Sequence, residues 1–142
     1  MRIPINFRLS KLCVSMITAA AICVAVVMPV WAHHSHGAYE DTFMDLQGVV
    51  TEAHYVVPHS WVYLEVKDAK GETQVWALEA TGRPALQKIG VTPTYVKPGD
   101  TVKVRCHHLR DGSNGCLLGF LKATDGTVKD WDGNGAPAPA DF

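Results

Sequence analysis

An apolar segment near the start of the sequence constrains everything that follows it, because it has the layout of an export signal. Three basic residues precede an uncharged apolar run over residues 12–28. Pro29 ends this run, and Ala32 then supplies the small residue that a signal peptidase requires. The sequence therefore predicts a signal peptide over residues 1–32 and a periplasmic or secreted product. The alternative is an uncleaved anchor, since the run is nearly long enough to span a bilayer.

Removal of this signal defines the size and charge of the part that folds. It leaves 110 of the 142 residues, which is enough for one domain with a hydrophobic core. The signal takes three of the thirteen basic residues and none of the fourteen acidic ones, so the remaining chain has a net charge of −4. A weakly acidic domain disfavours nucleic-acid binding, because phosphate contacts need clustered basic side chains. No second apolar span follows, so we expect no membrane contact after cleavage.

Two of the four cysteines remain after cleavage, and they flank a strong turn sequence. Cys106 and Cys116 enclose the residues Asp-Gly-Ser-Asn-Gly at 111–115, which favour a hairpin-like reversal. Exported thiols usually pair, so we predict a disulfide that stabilises the domain by about 2.5–3 kcal/mol. A Cys/Cys/His metal site is the alternative.

The rest of the chain has the alternation and turn signals of short β-strands. In residues 60–67, Val62, Leu64 and Val66 alternate with residues of the opposite face. A short helix is predicted where Pro84 begins and Gly90 ends a segment of different period. The predicted elements are strands at 46–56, 60–67 and 73–79, a helix at 83–89, strands at 101–107 and 116–123, and a short sixth strand at 127–131.

Three strands, a short helix and two more strands is the element order of an OB-type barrel. We therefore predict an all-β, OB-like barrel domain of five to six strands over residues 46–132, with one short helix and the order β-β-β-α-β-β. An open sandwich of the same strands is the alternative, because barrel closure is not a local property. Residues 33–45 are predicted as a His-rich arm and the Gly/Ala/Pro-rich residues 133–142 as a disordered tail.

The first candidate site is the new N-terminus that cleavage would create. The chain would begin with three histidines in four positions, His33, His34 and His36, which we call the N-terminal histidines. An N-terminal histidine chelates through its amine and its ring, and a second imidazole completes a nitrogen set that suits Cu(II). Cleavage one residue earlier would place His34 third, a spacing that also favours copper. The alternative is a flexible polar start with adventitious metal affinity.

His59 and Glu79 form the second candidate site. A hairpin turn at residues 68–71 would pair Ser60 with Glu79, which brings His59 and Glu79 to the same end of the sheet. Together they could complete the metal site, or the carboxylate could orient the imidazole. The structural alternative is an imidazole that caps backbone groups beside a solvated glutamate.

The third candidate is an aromatic face. The same register places Trp61 opposite Leu78 and Tyr63 opposite Trp76, so Trp61, Tyr63 and Trp76 are predicted to share one ligand-binding face. In OB folds this region binds oligonucleotides or oligosaccharides, and the negative charge leaves a sugar or a peptide. The alternative is that these rings are covered by the arm or the tail, or belong to the core.

The sequence contains none of the motifs that would identify an enzyme. There is no His-Glu-x-x-His motif, no phosphate-binding loop and no nucleophile elbow. We therefore expect a binding module rather than an enzyme, with copper as its ligand. A carbohydrate- or peptide-binding module is the second hypothesis, and a structural component of an exported complex is the third.

Five short segments together resemble a known family. They are residues 32–36 (AHHSH), 58–61 (PHSW), 76–79 (WALE), 97–100 (KPGD) and 110–113 (RDGS). In this order they resemble DUF6152, a family of small exported bacterial proteins of unknown function, over roughly residues 32–131. The chain departs from the family pattern at Val57, where an asparagine is usual, and at Ala80, where a glycine is usual. The resemblance implies export and a small β-rich domain, and it carries no established activity.

Overall fold

A computed structural model describes residues 35–142 of the chain. None of the helices in this part has the length and apolar character needed to cross a bilayer. A short 3-10 turn, Ser35–Ala38, comes first. The regular elements that follow are β1 (Tyr39–His54), β2 (Ser60–Lys67), β3 (Thr73–Ala80), α1 (Arg83–Lys88), β4 (Thr101–Leu109), β5 (Gly115–Lys122) and β6 (Val128–Asp130).

The strands form one mostly antiparallel sheet, so the prediction of a β-rich domain with one short helix is confirmed. The strand order is β3-β2-β1-β4-β5-β6, and all of these neighbours are antiparallel. In addition, β3 pairs in parallel with β5, where Leu78 lies opposite Cys116 and Glu79 opposite Leu117. The pairings therefore run from β3 through β2, β1, β4 and β5 and return to β3.

The first strand is longer than predicted. It begins at Tyr39, seven residues before the predicted start at Leu46, so the predicted arm is wrong over this part. Antiparallel pairing with β4 holds the added residues, and Phe43 lies opposite His107. Most side chains in this part are polar and exposed, so the local sequence has no apolar alternation that indicates a strand.

The β2–β3 hairpin has a loop one residue longer than predicted. Lys67 pairs with Thr73, and five residues lie between them. The Asp68 carboxylate closes this loop, because its Oδ1 accepts hydrogen bonds from the backbone N–H groups of Lys70 (2.8 Å) and Glu72 (2.9 Å). Ser60 consequently lies opposite Ala80. The predicted pairing of Ser60 with Glu79 is therefore wrong by one residue.

This shift moves one of the three residues of the predicted aromatic face, Trp76, to the other side of the sheet. Trp61 lies opposite Glu79, and Trp76 lies opposite Leu64. Leu64 is fully buried in the core, and Trp76 is partly buried against the same core. A one-residue change of register exchanges the two faces of a strand, because its side chains alternate. Trp61 and Trp76 thus belong to opposite faces.

The core contains side chains from β1 to β5 and α1, together with Trp131, which follows β6. Its largest fully buried side chains are Trp131, Leu64, Leu78, Leu86, Leu118 and Leu121. The helix has Pro84 near its start, as the sequence predicted, and it buries Leu86. The Cys106–Cys116 disulfide is present and fully buried, with a Cα–Cα distance of 5.7 Å. The prediction of this disulfide is confirmed.

The segment after β6, residues 133–142, was predicted from its composition to be a disordered tail. It contains no helix or strand. Its backbone is held near β6 by a hydrogen bond from the Ala136 N–H group to Asp130 Oδ2 (2.8 Å). Its last two residues lie against β4 and β5.

Candidate functional site

The structure does not reach the first half of the predicted metal site. His33 and His34 lie outside the described residues. The backbone of His36 is part of the 3-10 turn Ser35–Ala38, and its side chain also lies outside the described part. Metal binding by the N-terminal histidines therefore stays a prediction.

The second half of the predicted site is present as a contact between His59 and Glu79. Glu79 belongs to β3. Its neighbours Leu78 and Ala80 point into the core, so Glu79 lies on the other face of the strand, yet it is only 8% exposed. His59 precedes β2, and its Nδ1 atom lies 3.0 Å from Glu79 Oε1. The prediction that these side chains reach the same end of the sheet is confirmed, and their role as ligands stays a prediction.

Tyr39 is a third member of this cluster that the sequence reasoning missed. Its hydroxyl donates a 2.6 Å hydrogen bond to Glu79 Oε2, and the residue is 6% exposed. Burial raises the pKa of the Tyr39 hydroxyl above its ordinary value, and the hydrogen bond and charge of Glu79 raise it further. Tyr39 therefore remains a protonated donor. Forty residues separate the two partners, so no local pattern could have revealed this contact.

The arrangement presents an oriented imidazole at the protein surface. Glu79 uses one oxygen for His59 and the other for Tyr39, and its side chain is 10% exposed. The His59 side chain is 39% exposed, and its Nε2 atom has no hydrogen-bond partner among the side chains that the structure describes. A carboxylate that accepts the N–H of one ring nitrogen fixes the tautomer and makes the other nitrogen a better ligand. A ring nitrogen in this arrangement can bind a metal ion or accept a hydrogen bond, and that role stays a prediction for His59 Nε2.

No larger metal cluster exists in the described part of the chain. Among residues 35–142, no group of three or more His, Cys, Asp or Glu side chains is placed to hold a metal ion.

The predicted aromatic site is only partly assembled. Trp61 and Tyr63 stack on the outer face of β2, with ring centroids 6.5 Å apart and planes 22° apart. His54 meets Tyr63 edge-on at 5.7 Å. Trp76 lies on the other face, where its ring is 5.1 Å from that of His108. The structure therefore brings Trp61 and Tyr63 together, and the prediction that Trp76 shares their face is wrong.

Comparison with known proteins gives a family and no activity. No curated protein matches the chain. The model of a family of unknown function, DUF6152, matches residues 20–118, which is more than half of the sequence and includes His59, Glu79 and both disulfide cysteines. The chain therefore belongs to the DUF6152 family.

Proposed function

We propose that this chain is an exported copper(II)-binding protein. Its ligands are the amine and imidazole of His33 after signal cleavage, a second imidazole from His34 or His36, and the Nε2 atom of His59. The observation that carries the proposal is the buried Glu79 carboxylate, which orients the imidazole of His59 from a distance of 3.0 Å. Histidine nitrogens suit copper, and copper binds nitrogen and oxygen sites more tightly than other first-row divalent ions.

The contact of Tyr39 with Glu79 supports a single site that contains both the N-terminal histidines and His59. It ties the start of β1 to the end of the sheet where His59 lies. Tyr39 follows His36 by three residues and His33 by six. The N-terminal histidines are therefore close in sequence to a residue that contacts the partner of His59.

Glu79 acts in this proposal as a positioning residue. Its Oε2 atom accepts a hydrogen bond from Tyr39 and its Oε1 atom lies 3.0 Å from His59 Nδ1, so in this proposal the carboxylate orients the imidazole rather than coordinating the metal. Tyr39 restrains the carboxylate in turn. Copper binding weakens in acid, because the amine and the imidazoles must lose their protons to bind.

The proposal includes an OB-type barrel and an oxidising compartment. The barrel is supported by the sequence of strand pairings, which returns to β3 through its parallel ladder with β5. Export to the periplasm or beyond the cell is supported by the signal-like residues 1–32 and by the buried Cys106–Cys116 disulfide.

Native mass spectrometry of the exported protein tests this proposal. We expect a mass that begins at His33, an intact disulfide and one copper ion per chain after titration with Cu(II). A matched protein that keeps several extra residues before His33 should fold equally well, as judged by circular dichroism, and should lose most of its copper affinity. A mass that begins at Met1, or equal copper uptake by the extended protein, would contradict the proposal.

The stacked pair of Trp61 and Tyr63 favours a second candidate function, the binding of a carbohydrate or a peptide. Two half-buried rings with nearly parallel planes offer a surface on which a sugar ring can stack. Under this alternative, Trp61→Ala abolishes binding to an oligosaccharide array and leaves the free energy of unfolding nearly unchanged. Trp76→Ala is the matched variant on the core face, and it should lower the stability of the domain instead.

A further inference from the structure

The last residue of the sequence, Phe142, lies among three cationic side chains. Lys103 Nζ is 4.8 Å from the centre of the Phe142 ring, and the charged ends of Arg105 and Lys122 are each 5.1 Å from it. The ring of Phe120 also lies against it, with a centroid distance of 6.4 Å. Cations over the face of an aromatic ring attract it electrostatically. Phe142 is therefore held by a site with both charge and an apolar wall.

Polar contacts fix the neighbouring residue and the backbone of the same segment. Arg105 Nη1 donates to Asp141 Oδ1 at 2.8 Å, and Lys122 Nζ donates to the carbonyl oxygen of Phe142 at 2.7 Å. The Arg105 side chain is 14% exposed, whereas that of Asp141 is 77% exposed. Arg105 is thus a fixed part of the sheet, whereas the segment that contains Asp141 lies on the surface.

The sheet register explains why the receiving side chains form one patch. Arg105 lies opposite Phe120, and Lys103 lies opposite Lys122, on adjacent strands. We call these four residues the basic surface. Asp45 on β1 holds the Arg105 guanidinium in a two-point contact of 2.7 and 3.0 Å, and it also lies 3.0 Å from Lys103 Nζ. Arg105 and Lys103 are therefore positioned by Asp45, independently of any occupant.

The charge of the basic surface selects an acidic occupant. Three cations face the single carboxylate of Asp45, so the site has a net charge of +2 before Asp141 is counted. This is a local reversal of sign, because the chain as a whole has a net charge of −1. Charge complementarity of this kind favours a partner with a carboxylate beside its aromatic ring.

We propose that the basic surface is a recognition site for a peptide segment with an acidic residue followed by an aromatic one. Residues 141–142 are its internal occupant, and a partner segment of the same chemistry replaces them. Residues 136–140 alternate alanine and proline, which have no polar side-chain groups. Beyond the backbone hydrogen bond of Ala136 to Asp130, the attachment of the occupant depends on the contacts of Asp141 and Phe142, which are individually weak and exchangeable.

A free peptide must compete with residues 141–142 for the basic surface, and this competition determines the affinity that we expect to measure. A short linker gives a tethered segment an effective concentration on the order of millimolar. A free peptide must displace it from the unaltered chain, whereas a chain with Asp141→Ala and Phe142→Ala leaves the surface open. The probe is a fluorescently labelled peptide with the sequence of residues 135–142, ending in an amide. We expect it to bind the doubly substituted full chain at least about tenfold more tightly than the unaltered chain.

Three further variants connect the binding to the basic surface. Lys122→Ala and Lys103→Ala, each placed in the doubly substituted chain, should weaken the peptide affinity several-fold. Lys70→Ala removes an exposed lysine from the β2–β3 loop and should have no effect. Raising the salt concentration should weaken binding, because exposed charges are screened. A peptide with alanine in place of both Asp and Phe should not bind.

Several results would overturn this proposal. These are no peptide binding to the doubly substituted chain, equal binding of the alanine peptide, or an equal loss from Lys70→Ala and Lys122→Ala. Circular dichroism reports whether each variant remains folded. If the double substitution unfolds the chain, the same titration with Phe142→Ala alone decides the question in the same way.

Discussion

Two histidine–carboxylate pairs lie within residues 35–142, and the pair with the shorter distance is the weaker one. His54 Nε2 lies 2.7 Å from Glu52 Oε2, and both residues belong to β1. Their side chains are 50% and 63% exposed, so water and salt screen the interaction. His59 and Glu79 are 3.0 Å apart, but Glu79 is nearly buried and also accepts a hydrogen bond from Tyr39. The burial of a pair and the number of its partners, rather than the distance between its atoms, decide how much it contributes to the stability of the fold.

The two pairs also differ in whether their contact is local or depends on the tertiary structure. Glu52 and His54 are two residues apart on one strand, so their contact needs no tertiary structure. Glu79, His59 and Tyr39 meet only when β1, β2 and β3 are in place. A contact that depends on the whole fold positions a side chain more firmly than one between neighbours on a surface. This difference is why we assign the function to His59 and leave His54 as a control.

The largest effect is expected from the two glutamates. Glu79→Ala leaves the Tyr39 hydroxyl buried without its acceptor, so we expect the free energy of unfolding to fall by about 2–4 kcal/mol. Glu52→Ala removes only an exposed pair and should change it by less than about 0.5 kcal/mol. Urea denaturation followed by circular dichroism measures both. Equal losses for the two variants would remove the distinction between the pairs.

The disulfide should support the buried pair and not the exposed one. Cys116 precedes Leu117, which pairs with Glu79 across β5 and β3. Replacing Cys106 and Cys116 by serine should lower the free energy of unfolding by about 2–3 kcal/mol, because the unfolded chain regains loop freedom. In NMR spectra the ring signals of His59 should shift and those of His54 should not. An unchanged urea midpoint would show that the crosslink contributes nothing.

Tyr39→Phe tests the third partner of the buried pair. Loss of the hydroxyl should cost about 1–2 kcal/mol, since Glu79 loses a donor. The pKa of Tyr39 is raised above its ordinary 10.0, first by burial. The folded chain thus keeps this proton longer than the unfolded chain, and the contribution is complete below pH 10.0 and is lost as the pH rises further. Urea midpoints between pH 8 and 11 should fall less steeply for Tyr39→Phe, and identical slopes would contradict this.

The smallest effect concerns Asp45, a carboxylate that is paired with cations at the surface. Hydrogen bonds from Arg105 and Lys103 outweigh desolvation and lower its pKa from 3.8 to about 2. Its stabilising contribution is therefore present above pH 3.8 and is lost as the pH falls toward 2. Because the Asp45 side chain is 34% exposed, we expect it to contribute less than about 1 kcal/mol to the free energy of unfolding. Asp45→Asn should remove this acid dependence, and an unchanged acid transition would exclude the contribution.

Features set by near neighbours could be predicted from the sequence. The alternation in Ser60–Lys67 identified β2, and Pro84 with Gly90 marked the ends of α1. The disulfide followed from two cysteines around one turn. The position of His59 and Glu79 at the same end of the sheet was also predicted, although the register was wrong. Either register leaves both residues at the same end of the hairpin, so this prediction did not depend on the error.

Features set by distant partners could not be predicted. The residues of the β2–β3 turn suit loops of different length, and the hydrogen bonds of Asp68 selected the five-residue form. That single residue moved Trp76 from the predicted ligand face to the core face. The early start of β1 depends on its pairing with β4, and the contact of Tyr39 with Glu79 depends on the folded sheet.

The most direct test compares copper affinity in three exported proteins, the unaltered chain, His59→Ala and His54→Ala. Affinity for Cu(II) is measured by competition with a chelator, and EPR spectra report the number of nitrogen ligands. We predict that His59→Ala weakens binding by at least about tenfold and removes one nitrogen from the spectrum. His54→Ala should bind as the unaltered chain does. Equal copper affinity and identical spectra for His59→Ala and the unaltered chain would contradict the assignment of His59 as a ligand.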